Sequence, residues 1–238
     1  MKTILNFILV SMLIITLGNL NASASSAEGK SADTQKAEKT LKKAVMALDH
    51  VMEDPVNSIP QNLINDAEGI VIFPGAIKVA LGVVGGQGAR GLAMIRKEDG
   101  LWSNPFFVTL GEGSLGFQFG AQASDIVLLF KDRNDIIEID QADITLGGDV
   151  GVAAGPVNKG SSSSTDITFE SEIYSYYRSR GLFAGVSLKG GILSYNEDIS
   201  ESLYGIDGVS TEEIFQGIET PYNDKVNDLI EALVMYGK

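Results

Sequence analysis

Residues 69–96 read GIVIFPGAIKVALGVVGGQGARGLAMIR. Ile70, Val71, Ile72 and Phe73 form an apolar run closed by Pro74-Gly75, the form of a strand buried on both faces. Val79 to Val84 and Gly91 to Arg96 follow as further β-prone runs, and glycine separates each from the next. The same style continues through Phe106 to Leu110, Leu115 to Phe119, Ile126 to Phe130, Ile136 to Ile139, Ile167 to Tyr177, Leu182 to Leu188 and Ile192 to Tyr195. Most gaps are too short for the crossover helix that parallel neighbours need, so the sheet is expected to be largely antiparallel. Glycine inside a strand gives up side-chain packing but permits bending, bulges and the close approach of another segment. With 27 glycines in 238 residues, the expected architecture is α+β: a curled, mainly antiparallel Gly-rich sheet or small barrel, with helices at its N-terminal and C-terminal ends.

The helices are expected from periodicity. Ala37, Leu41, Ala44, Val45, Leu48, Val51 and Met52 recur at spacings of three and four, which puts them on one face of a helix ending before Pro55. Lys36, Lys39, Lys42 and Lys43 fall on its polar side or border. Such a helix is either a lid packed on the sheet with solvated lysines, or an amphipathic helix lying on a membrane surface. A short helical turn runs from Ser58-Ile59-Pro60 to Ala67 and stops at Gly69. Near the C-terminus, Ser210 with Glu213 spells a capping box. A last helix starts at Thr220-Pro221, with Val226, Leu229, Ile230, Leu233 and Val234 as its stripe.

The chain opens with Lys2, an apolar run from Ile4 to Leu17 and a small polar stretch containing Ala22-Ser23-Ala24. That is the order of a secretory signal peptide, and the run is shorter than the roughly 20 residues that cross a bilayer as a helix. The expected organisation is a signal peptide over residues 1–24, a flexible lead-in over 25–31, and one domain over 32–238. The mature chain is expected to be periplasmic or extracellular and possessed of a peripheral membrane association.

Composition excludes several chemistries. There is no cysteine, so a thioether lipid anchor, a disulfide framework and a thiolate metal site are ruled out. A net charge of −13 at pH 7 argues against nucleic acid as a partner. Gly86 to Gly91 and Gly111 to Gly116 both match the phosphate-cradling glycine pattern, yet each leads into a β-like run rather than a helix N-terminus. Ser187 and Ser114 both lack the glycine spacing of a nucleophile elbow. His50 is the one histidine and reads as solvated or capping. The acidic groups around Glu197 and Asp135 read as solvated loops, and Trp102 as a core or rim anchor. No catalytic residue, metal site or cofactor is expected.

Taken in order, the glycine-centred blocks resemble the SYLF-domain family. They run Ala67-Glu68-Gly69-Ile70-Val71-Ile72-Phe73-Pro74, Gly85-Gly86-Gln87-Gly88, Leu101-Trp102-Ser103-Asn104-Pro105 and Gly116-Phe117-Gln118-Phe119-Gly120-Ala121. Further on come Ser124-Asp125-Ile126-Val127-Leu128-Leu129, Leu146-Gly147-Gly148-Asp149, Ala153-Ala154-Gly155-Pro156 and Ser179-Arg180-Gly181-Leu182-Phe183-Ala184-Gly185-Val186-Ser187-Leu188. Asn196 and Tyr204-Gly205 complete the series. The resemblance implies a lipid-binding domain, with phosphoinositides the ligands of eukaryotic members and actin that of the fungal ones. It also implies that the lipid-contacting element is the basic N-terminal helix. By position this puts Lys39, Lys42 and Lys43 on the headgroups, has Leu41, Val45 and Leu48 insert or dock, and makes Arg178 and Arg180 secondary contacts. Lys189 stands where eukaryotic members usually carry glutamate. The expected function is therefore an exported, non-enzymatic lipid-binding module whose partner is membrane phospholipid, with actin unlikely. The alternative is a structural or protein-interaction domain of the cell envelope without lipid binding.

Overall fold

A computed structural model describes residues 29, 31–54, 58–155, 170–181, 188–220 and 222–237. The expected leader, the serine-rich loop at 158–165 and the run 182–187 lie outside the described residues. Helix α1 covers 31–52, and the chain then runs through α2 (Gln61–Asp66), β1 (Gly69–Ile95) and β2 (Phe106–Phe130). After these come α3 (Asn134–Ile137), β3 (Ile144–Thr145), β4 (Val152–Ala154), β5 (Ile173–Gly181), β6 (Ile192–Tyr195), α4 (Glu197–Tyr204), α5 (Thr211–Phe215) and α6 (Asn223–Tyr236).

The runs expected as separate strands join into two very long ones. β1 has 27 residues and β2 has 25, paired antiparallel from Gly69↔Phe130 to Ala93↔Phe106. β2 is the hub of the sheet: β1 lies along its length, β5 pairs with residues 122–130 and β6 with residues 108–111. β3 extends β6 antiparallel, and β4 joins β5 in parallel. The fold is thus α+β, with a curled and mostly antiparallel sheet.

Curling is a matter of length. At about 3.3 Å per residue a straight β1 would reach about 90 Å, whereas a compact domain of this size has a radius of gyration near 17 Å. The ribbon therefore bends back. The pairing register shifts between Phe73 and Ala76 and again between Gly82 and Val84, as bulges that bend and twist a strand do. At the first shift Gly75 takes φ +70°, a left-handed conformation that a side chain disfavours.

The ends of the ribbon then meet. A Cβ built on Gly91 would sit 2.3 Å from the Ile72 carbonyl oxygen and 2.5 Å from a Phe73 ring carbon. Only glycine lets the two ends of β1 cross this closely. The runs Ile70 to Phe73, Leu92 to Ile95 and Ile126 to Phe130 are buried on both faces, as the sequence of the first leads one to expect. Helices close the remaining sides of the core. Ser200 of α4, fully buried, accepts a hydrogen bond from the Phe107 amide at 3.1 Å, and Tyr204 donates to the Pro105 carbonyl at 2.6 Å. Phe215 of α5 meets Phe106 edge-on at 5.5 Å, and the Ser210/Glu213 capping box is present as expected.

Two elements differ from the sequence reading. Ile136 to Ile139 forms no strand: the Asp132 carboxylate accepts from the Asn134 amide at 2.9 Å and starts a helical turn there, a local bond that competes with the ladder. The acidic stretch at Glu197 is helix α4 rather than a loop, capped by Asn196 and ended at Gly205 with φ +69°.

Gly91→Ala is expected to destabilise the protein by about 3 kcal/mol, a fall of roughly 6–12 °C in thermal midpoint. Gly88→Ala, where an added Cβ meets nothing within 4 Å, should change the midpoint by about a quarter of that or less. Urea denaturation of both variants checks the contrast.

Candidate functional site

Helix α1 buries Ala37, Leu41, Ala44, Ala47, Leu48 and Val51 against the sheet. This is the docked arrangement: Leu41 and Leu48 are fully buried and Val45 is packed half-buried against the core. What α1 leaves outside is its lysine face, with Lys36, Lys39, Lys42 and Lys43 exposed.

The structure divides these lysines. Lys36, Lys39 and Lys43 line a groove of about 440 Å³ between α1 and the ribbon. Its other wall is the Pro74-Gly75 bulge, Ile77, the segment from Gly88 to Arg90, and Thr109. Lys42 points to the opposite flank, beside Val45, Met46, Lys225 and Asp228. Lys36 is paired with Asp33 at 2.6 Å, but Lys39, Lys43 and Arg90 have no ion pair among the described residues. Arg90 and Thr109 were not singled out in the sequence. They lie far from α1 along the chain, and only the folded ribbon brings them to the lysines.

A smaller cavity of about 170 Å³ continues the groove, sharing Lys43, Pro74 and Gly75 with it. Here His50, expected to be solvated or capping, meets Asp125: Nδ1 lies 2.9 Å from Oδ2. A carboxylate only accepts, so Nδ1 carries the hydrogen. The other oxygen of Asp125, which is 7% exposed, accepts from the Gly75 amide at 2.9 Å. One buried carboxylate thus holds both the end of α1 and the bulge that bends β1.

Arg178 is the cross-strand neighbour of Asp125. Its guanidinium donates to the His50 carbonyl at 3.0 Å, satisfying a C-terminal helix carbonyl and placing a cation at the negative end of the helix dipole. The structure therefore gives Arg178 a holding task at the end of α1. The backbone of Arg180 pairs with Ala123, and its side chain lies outside the described residues. Tyr236 of α6 completes the anchoring of α1 with a 2.8 Å bond to Asp49.

Among the described residues no three His, Cys, Asp or Glu side chains gather as metal ligands, and no helix is long and apolar enough to cross a membrane. Trp102 is 4% exposed under the Arg96 guanidinium, 4.3 Å from the ring centre, and is a core anchor.

The fold and the groove define a class: a curled-sheet module that presents a docked helix with its cations gathered on one side. Residues 111–236 match the family model described as Ysc84, the Las17-binding protein actin regulator, and the chain belongs to this Ysc84 (SYLF) family. It is similar to SH3 domain-containing YSC84-like protein 1 of Xenopus laevis, 30% identical over 186 residues that cover 78% of this chain and 54% of the relative. The human protein of the same description is 32% identical over 180 residues, covering 75% of this chain and 52% of the relative. Protein YSC84 of Saccharomyces cerevisiae is 28% identical over 188 residues, covering 78% and 39%. The chain spans about half the length of the animal relatives and less of the yeast one.

These matches correct one expectation. Membrane phospholipid was expected as the partner, with actin unlikely; the family is described instead by a protein partner and by actin regulation, and its relatives carry SH3 domains. The geometry gives a physical reason as well. Leu41 and Leu48, expected to insert or dock, are committed to the core, so inserting them into a bilayer would require α1 to leave the sheet.

Asp125→Ala is expected to cost about 3 kcal/mol, because the Gly75 amide and the His50 ring both lose a charged acceptor. A double-mutant cycle with His50→Ala should show a coupling of about 1 kcal/mol by urea denaturation.

Proposed function

We propose that this chain is a non-enzymatic protein-interaction module that works after export and offers the cationic groove between α1 and the ribbon to an acidic protein surface. The observation that carries this reading is the convergence of Lys39, Lys43 and Arg90, without ion pairs among the described residues, in a chain of net charge −13. Each cation sits on a rigid element, Lys39 and Lys43 on a helix packed into the core and Arg90 on the paired ribbon. The backbone beneath these side chains is already ordered, so binding costs the rotamer freedom of the side chains but little backbone entropy.

Charge complementarity of this kind steers encounter and selects partners. Within about a Debye length, 8–10 Å in physiological salt, the local cations set the field that a partner meets. Beyond that range screening damps the field of the net negative charge, so binding is expected to be selective for a surface that reaches into the groove. Ile77, 57% exposed at the rim, adds an apolar contact beside the charges. The family description supports a protein partner, and actin filaments, which an exported chain would meet only outside its own cell, are the first one to test. Export is supported by the leader-like order of Lys2, the apolar run and Ala22-Ser23-Ala24.

Co-sedimentation of the mature chain with purified actin filaments tests the site. Lys39→Glu/Lys43→Glu/Arg90→Glu is expected to reduce binding by at least tenfold while leaving the unfolding free energy, from urea denaturation, within about 1 kcal/mol of wild type. Unchanged binding by this variant would remove the groove from consideration. Lys42→Glu, on the other flank of α1, should have little effect.

A further inference from the structure

The outer edge of β1 is open through the middle of the ribbon. Among the described residues β2 is the one strand paired with β1, and the two ends of β1 lie against each other at Ile72 and Gly91. The stretch from Ile77 to Val84 has neither kind of cover. Its edge is also unbroken. Between the pairs Gly82↔Gln118 and Val84↔Leu115 one residue of β1 faces two of β2, so the extra residue of that irregularity belongs to β2 and β1 runs on straight.

Sheets usually protect such an edge with charges, proline or a bulge of the edge strand itself. This one has a single lysine. Between Lys78 and Arg90 on β1, and between Glu112 and Asp125 on β2, there is no charged residue, although 21% of the chain is charged. The side chains that reach water are apolar instead: Ile77 is 57% exposed, Val79 42%, Val83 51% and Val84 60%. Polar groups nearby point inward, with Gln87 and Gln122 almost wholly buried and amide atoms of both lacking a hydrogen-bond partner. They cannot shield the valines.

The charge pattern favours a second copy of the chain as the cover. Two molecules of net charge −13 repel each other over most of their surfaces, and β1, which contains no acidic residue, is where they approach at least cost. The edge is also close to self-complementary. Antiparallel pairing of two copies about Ala80 sets Ile77 opposite Val83 and Val79 opposite Leu81, and the one charge, Lys78, falls opposite Gly82. Opposite residues of an antiparallel pair share a face, so the exposed Ile77 and Val83 side chains cover one another. A two-fold at Lys78 would oppose two ammonium groups, one at Val79 would run Val83 into the Pro74-Gly75 bulge, and one at Leu81 would set Lys78 against exposed Val84.

We propose that this edge is a dimer interface, formed by antiparallel pairing of residues Ile77–Val83 with the same residues of a second copy about a two-fold at Ala80. The arrangement is isologous and closed, since each copy uses up the edge it offers. It spans about 23 Å, the scale of a weak and reversible contact, so the dimer is expected at roughly 10–100 μM chain. Because Ile77 also borders the cationic groove, Val83 of the second copy would stand at the groove rim.

Sedimentation velocity of the mature chain from about 5 to about 500 μM reads the association. Wild type is expected to pass from monomer to dimer, and Val79→Lys/Val83→Lys to weaken the dimer at least tenfold with its thermal midpoint within about 3 °C of wild type. The absence of cysteine permits a test of register. Opposite residues lie within disulfide reach, so a mixture of Ile77→Cys and Val83→Cys chains should oxidise to a cross-linked dimer. Either variant alone should not, its two sulfurs being about 20 Å apart along the strands. A chain that stays monomeric throughout would overturn the proposal and leave the edge to a strand of a different protein. A dimer that the double lysine variant does not weaken, or equal cross-linking by one cysteine variant alone, would overturn it too. Lys39→Glu/Lys43→Glu/Arg90→Glu should dimerise as wild type does, so failure of the groove and failure of the edge are separate results.

Discussion

The contact on which the rest of the molecule depends is the crossing of β1 over itself, where the backbone at Gly91 lies against the Ile72 carbonyl and the Phe73 ring. A hairpin of strands 27 and 25 residues long has no stable form as an isolated flat ribbon, since it offers two faces to water and nothing to bury them on. Crossing the ends solves this. It stacks Leu92 to Ile95 near Ile70 to Phe73, and both runs become inaccessible on both faces. The contact needs a residue without a side chain at one position and a bend at another. Gly91 meets the first need, and the Pro74-Gly75 bulge with the shift at Gly82 meets the second.

The same bend determines where the helix goes. Asp125, buried on β2, accepts from the Gly75 amide and from His50, so the bulge and the C-terminal end of α1 share one anchor. Arg178 adds a bond to the last turn of the helix from the adjacent strand. Because α1 is held at this end and sealed along its apolar stripe, the direction of its lysines follows from the fold and not from their own interactions. A groove with gathered cations then forms where helix and ribbon run side by side. Its electrostatics are local, since screening keeps the many acidic groups elsewhere from cancelling it.

Much of this was legible in the sequence, for reasons that can be given residue by residue. The run Ile70 to Phe73 has no polar alternation and is buried on both faces, and Ser210 with Glu213 is a capping box in both readings. The stripe of α1 was recovered because a 3.6-residue period is local. The union of Val79 to Val84 with Gly91 to Arg96 was not, because glycine weakens a strand in isolation while a paired neighbour carries the ladder through it. Helix α4 was missed because its acidic residues dominate the reading; the signal was Asn196 ahead of Ile199 and Leu203, with Gly205 behind. Arg90, Thr109 and Asp125 could not be assigned to the groove or its anchor from sequence. They are joined to α1 only through the bend, and no local period encodes a bend.

The middle of the ribbon runs against the usual arrangement of polar and apolar groups. Ile77, Val79, Val83 and Val84 are 42–60% exposed, while Gln87 and Gln122 are almost wholly buried. In a strand alternate residues share a face, so Val79 and Val83 lie on the same pleat face as Gln87. That face is outside at one end of the segment and inside at the other, and the ribbon turns over between them. Exchanging apolar for polar groups across this segment would relieve the orphaned amides and cover the valines, so stability alone does not account for the pattern. Departures from the hydrophobic rule that persist in a well-packed protein are expected at functional sites. The turned-over segment adjoins the groove wall formed by Gly88 to Arg90, so the departure from the hydrophobic rule lies beside the surface proposed for a partner.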